Sequence, residues 1–167
     1  TIEENTAMAY RRGKHRTLRK GITKAERDFY REHLKMLDLG LEDRLTTKTG
    51  LLSGGQRQAL TLLMATMTKP KLLLLDEHTA ALDPKTAKKV LELTKKIIAE
   101  DKLTVIMITH NMRDALKHGN RLVMLDKGKI IIDLSEEQKK NLQVSDLLSM
   151  FEKASGDSMT NDRMLLG

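Results

Sequence analysis

The chain contains no cysteine and no tryptophan, and its aromatic side chains are confined to Tyr10, Phe29, Tyr30 and Phe151. Without cysteine, neither a disulfide framework nor a cysteine-ligated metal is possible, which is compatible with the cytoplasm. With so few aromatics, the core must be built from Leu, Ile, Val, Met and Ala. No apolar run approaches the ~20 residues of a membrane-spanning helix. The opening residues do not read as a signal peptide. The first residue is Thr rather than Met, as expected of part of a longer protein.

What is present fits one sizeable globular domain. The 167 residues are 40% hydrophobic and 32% charged, with a net charge of +7. Much of that charge sits in "RRGKHRTLRK" at 11–20, which holds Arg11, Arg12, Lys14, Arg16, Arg19 and Lys20. Such a patch attracts nucleic acid or anionic lipid, or forms a solvated face near a loop. No aromatics interleave it as stacking platforms, which argues against single-strand binding.

Residues 1–45 read as helical and polar. Phe29, Leu34, Leu37 and Leu41 fall near helical spacing, with Gly40 as a stop. Ser53 can cap a helix running to about Thr68, ended by Pro70. "KLLLLDE" at 71–77 is a continuous apolar run, the pattern of a strand buried on both faces. Asp83 and Pro84 open the next helix as N-cap and first-turn residue. "LTVIMITH" at 103–110 reads as a second buried strand, followed by a helix from Met112 to Lys117 that stops at Gly119. "RLVMLDKGKIIIDL" reads as a hairpin turning at Lys127-Gly128. One amphipathic helix around Val144–Phe151 and a polar tail complete the chain. Strand, helix, strand, helix argues an α/β fold with parallel strands, flanking helices and a C-terminal antiparallel hairpin.

Chemistry in open α/β sheets gathers at the carboxyl ends of the strands. Asp76 and Glu77 end one strand and His110 the other, with Asp83 just beyond the first. Two adjacent carboxylates after a dry strand are costly to keep ionised unless a cation meets them. Mg²⁺ is the natural candidate, held by Asp76, while Glu77 turns the other way to orient or deprotonate a water. Alternatively, the acids only cap the next turn. His110 is either a satisfied core histidine or a donor to a phosphate oxygen. In "LSGGQ", Leu52 to Gln56, Gly54 and Gly55 let backbone amides approach an anion closely. Ser53 adds a hydroxyl, and the helix dipole favours negative charge. Two glycines in a first helical turn cost stability for no structural return, which favours the anion over a plain Ser cap.

"LSGGQ" at 52–56, "LLLLDE" at 72–77, "ALD" at 81–83 and "ITH" at 108–110 resemble, in order and spacing, the motifs of the ATP-binding-cassette (ABC) ATPases. The resemblance spans roughly residues 1–134 and implies a partial P-loop NTPase fold. Residues 1–50 would be a portion of the helical subdomain, 51–134 a portion of the RecA-like core, and 135–167 a C-terminal helix and tail. Leu52, Ser53, Gly54, Gly55 and Gln56 resemble the signature motif that contacts the γ-phosphate of ATP held by an opposite subunit. Asp76 resembles the Walker B aspartate serving Mg²⁺, and Glu77 the catalytic base. Asp83 resembles the D-loop aspartate that communicates across the dimer, and His110 the switch histidine. Partners implied are a second ATPase subunit, as homodimer or pair, and transmembrane permease subunits. The implied location is the cytoplasmic face of the cell membrane. His78 stands where the family usually has Pro, and Ala80 where it often has Ser. The stretch "TTKTGLLSGGQ" lacks the acidic, glycine-rich segment that exporters place before the signature, which favours a bacterial importer.

A P-loop needs G-x-x-x-x-G-K-[ST]. The Gly-Lys pairs here are Gly13-Lys14, followed by His15, and Gly128-Lys129, followed by Ile130, and neither fits. The Q-loop and the adenine-stacking aromatic are expected upstream of Thr1. Without the P-loop strand, "LTVIMITH" is expected to present an apolar edge. Two other readings stand beside the transporter ATPase: a soluble ABC ATPase acting on nucleic acid or ribosomes, and a non-catalytic interaction module. The 167-residue chain alone should not hydrolyse ATP. Magnesium-dependent turnover by the purified chain, lost on Glu77→Gln, would refute this.

Overall fold

Helices in this chain begin where a short polar side chain can take up the amides left over in a first helical turn. Thr1 with Glu4, Thr23 with Glu26, Ser53 with Gln56 and Ser135 with Gln138 each form a reciprocal capping box. Asp83 and Asn111 cap two further helices. A computed structural model describes residues 1–13 and 21–155 and divides the chain into two units, Thr1–Met107 and Ile108–Gly167. Of the basic patch, Arg11 and Arg12 are described, and Arg11 pairs with Glu26 at 2.7 Å. Lys14, Arg16, Arg19 and Lys20 lie outside the described residues, as does the polar tail after 155.

The first unit opens with α1 (Ile2–Tyr10), α2 (Lys24–Lys35) and, after a 3-10 turn at Thr49–Leu51, α3 (Gly54–Thr66). Ile2, Tyr30, Leu34, Leu41, Leu52, Ala59, Leu60 and Leu63 bury one core between them. The second helix ends sooner than its apolar spacing suggests. Asp38 (φ 53°) and Gly40 (φ 65°) take left-handed conformations, so Leu37 and Leu41 reach the core from turns. Next come β1 (Leu73–Asp76), α4 (Pro84–Asp101) and β2 (Val105–Ile108). The two strands pair in parallel with α4 as the crossover.

The strands are not buried on both faces. Leu73 and Leu75 pack with Leu62 of α3 and Ile97 of α4 in a second core. The alternate side chains point away from those helices, leaving Leu74 66% and Ile106 53% exposed. A continuous apolar run reports the chemistry of both faces, but only one is covered among the described residues.

The second unit holds α5 (Met112–Lys117), β3 (Arg121–Asp126), β4 (Lys129–Ser135), α6 (Glu136–Lys139) and α7 (Val144–Ser155). The hairpin turns at Lys127 (φ 47°) and Gly128 (φ 76°), the two left-handed positions of a tight two-residue connection. Leu122 faces Leu134 and Met124 faces Ile132 across it, and a register shift follows Met124. Leu122, Ile132 and Leu134 pack with Met112 and Leu147. The short α6, which the sequence pattern does not announce, buries Lys139. Its ammonium donates to the carbonyls of Ala115 and His118 and so closes the end of α5.

Glu26 joins α1 to α2 electrostatically. It accepts from the Thr23 backbone amide and from Arg11, which pull its carboxyl down to about 2. A depressed carboxyl stabilises the fold above its ordinary value of 4.5, and that stabilisation fades as pH falls toward about 2. Thermal melting followed from pH 7 to about 2 should therefore show a steeper acid loss for the wild type than for Glu26→Gln. Parallel acid limbs would contradict this origin.

Candidate functional site

The Ser-Gly-Gly turn is built by its cap. The Gln56 amide donates to Ser53 Oγ at 3.2 Å, and the Ser53 amide donates to Gln56 Oε1 at 3.1 Å. The Gln56 side chain is therefore engaged in the cap, while the Ser53 hydroxyl keeps a proton to donate. Gly54 and Gly55 carry the first-turn amides that neither cap group takes. Leu52 is buried in the first core and anchors the turn from below. Its carbonyl accepts from Arg57 Nη1 at 2.7 Å.

The glycines do have a structural return, contrary to the sequence-based expectation. A Cβ on Gly55 would overlap the Cγ2 methyl of Thr86, and one on Gly54 would lie 3.2 Å from Leu82 Cδ2. The first turn of α3 thus rests on the segment that carries Asp83 and opens α4. Only glycine permits that approach. Pattern reading misses it because Thr86 is far away in the sequence and carries no motif.

Asp83 accepts from the Thr86 amide at 3.1 Å. The Thr86 hydroxyl and the first-turn amides of α4 hold its carboxyl below the usual aspartate range. Asp83 is thereby fixed as an anion at a helix N-terminus, beside the N-terminus of α3.

Asp76 ends β1 and Glu77 follows in a left-handed conformation (φ 41°), both exposed. Among the described residues the outer face of β1 is open, so nothing described there buries these carboxylates in the dry environment expected to penalise them. Among the described residues no three His, Cys, Asp or Glu side chains converge as a metal-binding group. Mg²⁺ commonly takes one or two carboxylates and fills its octahedron with water and phosphate oxygens, so Asp76 fits it without such a cluster.

His78 follows directly and turns inward. It is buried, with Nε2 3.2 Å from Thr94 Oγ1 on α4, whose hydroxyl donates to the Val90 carbonyl at 2.7 Å. The left-handed Glu77 is thus held between a paired strand and a buried ring. His110 belongs to the second unit. It is exposed, between the end of β2 and Asn111, the cap of α5. The first unit therefore brings Ser53–Gln56 and Asp83 together and carries Asp76 and Glu77, while His110 is described with the second.

A helix opening on Ser-Gly-Gly, a strand ending in Asp76 with Glu77 just beyond it, and an Asp-Pro cap packed beside the glycines characterise the α/β first unit. Residues 1–80 match the family model described as ABC transporter. The tyrosine transport ATP-binding protein of Clostridioides difficile (strain R20291) is 46% identical over 92% of this chain and 61% of its own length. The methionine import ATP-binding protein MetN of Streptococcus pneumoniae serotype 4 (strain TIGR4) is 40% identical over 78% of this chain and 35% of its own length. Among solved structures, the dimeric ABC transporter cassette MJ0796 superposes with a TM-score of 0.63 and 34% identity, covering 81% of this chain and 56% of that one. The ADP conformation of MJ1267, an ATP-binding cassette, gives a TM-score of 0.70 at 26% identity, covering 90% and 62%. The chain is thus homologous to ABC transporter ATP-binding proteins, with the family match over residues 1–80, and spans about 61% of the tyrosine transport relative's length.

The left-handed backbone at Glu77 disfavours a long side chain, whereas Asn tolerates it. Glu77→Asn should raise unfolding stability by about 0.5–1 kcal/mol in chemical denaturation. Unchanged or lower stability would show that what the glutamate side chain contributes there outweighs the strain.

Proposed function

We propose that this chain is part of the ATP-hydrolysing subunit of a bacterial ABC importer, whose P-loop lies outside these 167 residues. Residues 1–50 belong to its helical subdomain, 51–134 to its RecA-like core and 135–167 to a C-terminal extension. The observation that carries the reading is the packing of the signature turn, Leu52–Gln56, directly on the Asp83 segment, with Asp76 ending β1 of the same unit and Glu77 following it. The importer assignment is supported by two relatives whose names state tyrosine transport and methionine import. The subunit works in a pair, docks on permease subunits and sits at the cytoplasmic face of the membrane. No helix among the described residues is long and apolar enough to cross a membrane itself.

Phosphoryl transfer demands positioning and charge compensation rather than covalent catalysis. Asp76 would hold Mg²⁺, which when bound offsets the charge on the phosphate oxygens. Glu77 orients a water for in-line attack on the γ-phosphorus and takes its proton, while the bond to the bridging oxygen breaks and ADP leaves with that electron pair. His110 donates a hydrogen bond to a γ-phosphate oxygen. The amides of Gly54 and Gly55, with the Ser53 hydroxyl, donate to the γ-phosphate bound by the other subunit, and the N-terminus of α3 adds its dipole. Asp83 answers from the next helix across the same junction.

The full-length ATPase should hydrolyse ATP with Mg²⁺. Glu77→Gln should lower kcat by about 10²–10⁴-fold while leaving nucleotide affinity within a few-fold, as general-base removal does. Turnover retained in that variant, or absent from the wild type, would overturn the assignment.

A further inference from the structure

Where α3 meets α4, one residue faces both ways. Thr86 presses its Cγ2 methyl into the space that a side chain on Gly55 would fill, and Gly55 is buried there. The amide of Thr86 donates to Asp83 Oδ1 at 3.1 Å, and its hydroxyl lies where it helps hold the same carboxylate below the usual aspartate range. Carbon thus touches the signature turn while N–H and O–H hold the D-loop acid. A β-branched side chain in a helix has few χ1 states. Rotating the methyl away from Gly55 therefore also moves the hydroxyl away from Asp83, leaving only backbone amides to hold the carboxylate.

We propose that Thr86 is a positioning residue of the ATPase cycle, keying the Ser53–Gln56 turn to Asp83 so that both move as one body. This rests on the ATPase reading above. It also assigns Gly55 a second reason for being glycine. The phosphate needs a bare backbone on one side of the turn, and the Thr86 methyl needs the Cβ position on the other.

The two reasons predict opposite behaviour when the methyl is moved from one helix to the other. In the full-length ATPase, Thr86→Ser removes the methyl and keeps the hydroxyl, and should lower kcat a few-fold. Gly55→Ala adds a methyl against Thr86 and should lower kcat about a hundredfold, as sub-ångström misplacement of reacting groups can. The double variant re-forms the contact with the methyl carried by residue 55, and should recover at least about tenfold over Gly55→Ala alone. Thr86→Val keeps the methyl and loses the hydroxyl to Asp83. It should lower kcat about tenfold at unchanged KM for ATP, a split that loss of folded protein would not produce.

Melting curves normalise each rate to folded protein. Recovery in the double variant together with the Thr86→Val split supports the inference. A double variant no faster than Gly55→Ala overturns it, because the glycine then serves only the phosphate. Wild-type kcat in Thr86→Val also overturns it, and this arm holds even if Gly55→Ala does not fold. A wild type without turnover removes the ATPase reading and this inference together, so the two failures are distinguishable.

Discussion

The junction of two helix N-termini is the constraint on which the first unit depends. Gly54 and Gly55 at the start of α3 abut Leu82 and Thr86 at the start of α4. Each N-terminus carries the equivalent of about half a positive charge, so bringing two together is electrostatically unfavourable unless an anion sits there. Asp83 is that anion within the chain, and its depressed carboxyl registers the hydrogen bonds from Thr86 and the α4 amides. The phosphate contact proposed for the Ser53–Gln56 turn would draw on the same donors and dipoles. Packing and the proposed anion contact thus share one close approach.

Much of the fold was legible because local chemistry and global packing agree. Asp83-Pro84 opens α4, Asn111 to Gly119 brackets α5, and Lys127-Gly128 turns the hairpin. The failures have physical causes. Leu37 and Leu41 keep helical spacing although α2 ends at Lys35, since leucines in turns reach the same core. The strands read as doubly buried because hydrophobicity records what a side chain would prefer to meet. Leu74 and Ile106 remain 66% and 53% exposed among the described residues.

The candidate site was legible as motifs but not as mechanics. Ser53, the glycine pair, Asp76, Glu77, Asp83 and His110 stand out by residue type at the start of a helix or the end of a strand. Thr86 and Thr94 do not, because a threonine in a helix carries no signal until its partner is known. Thr86 gains meaning only from the missing side chain of Gly55, and Thr94 only from the inward turn of His78. Sequence spacing cannot supply either relation, since each partner lies on a different element.

His78 shows how one restraint can be achieved by different physics. The family usually places proline there, which fixes φ covalently just after the acid. A histidine at the same position has a free φ, so the turn must be held by tertiary contacts. Burial of the ring and its contact with Thr94, whose hydroxyl is anchored to the Val90 carbonyl, provide them. The consequence falls on α4. Its first turn fixes Asp83 and seats Gly55 through Thr86, and its middle receives His78 next to Glu77. With proline, the acid's turn would be stiff by itself; with histidine, its stiffness is borrowed from α4. A displacement of α4 is then felt at the Ser53–Gln56 turn, at Asp83 and at Glu77 together.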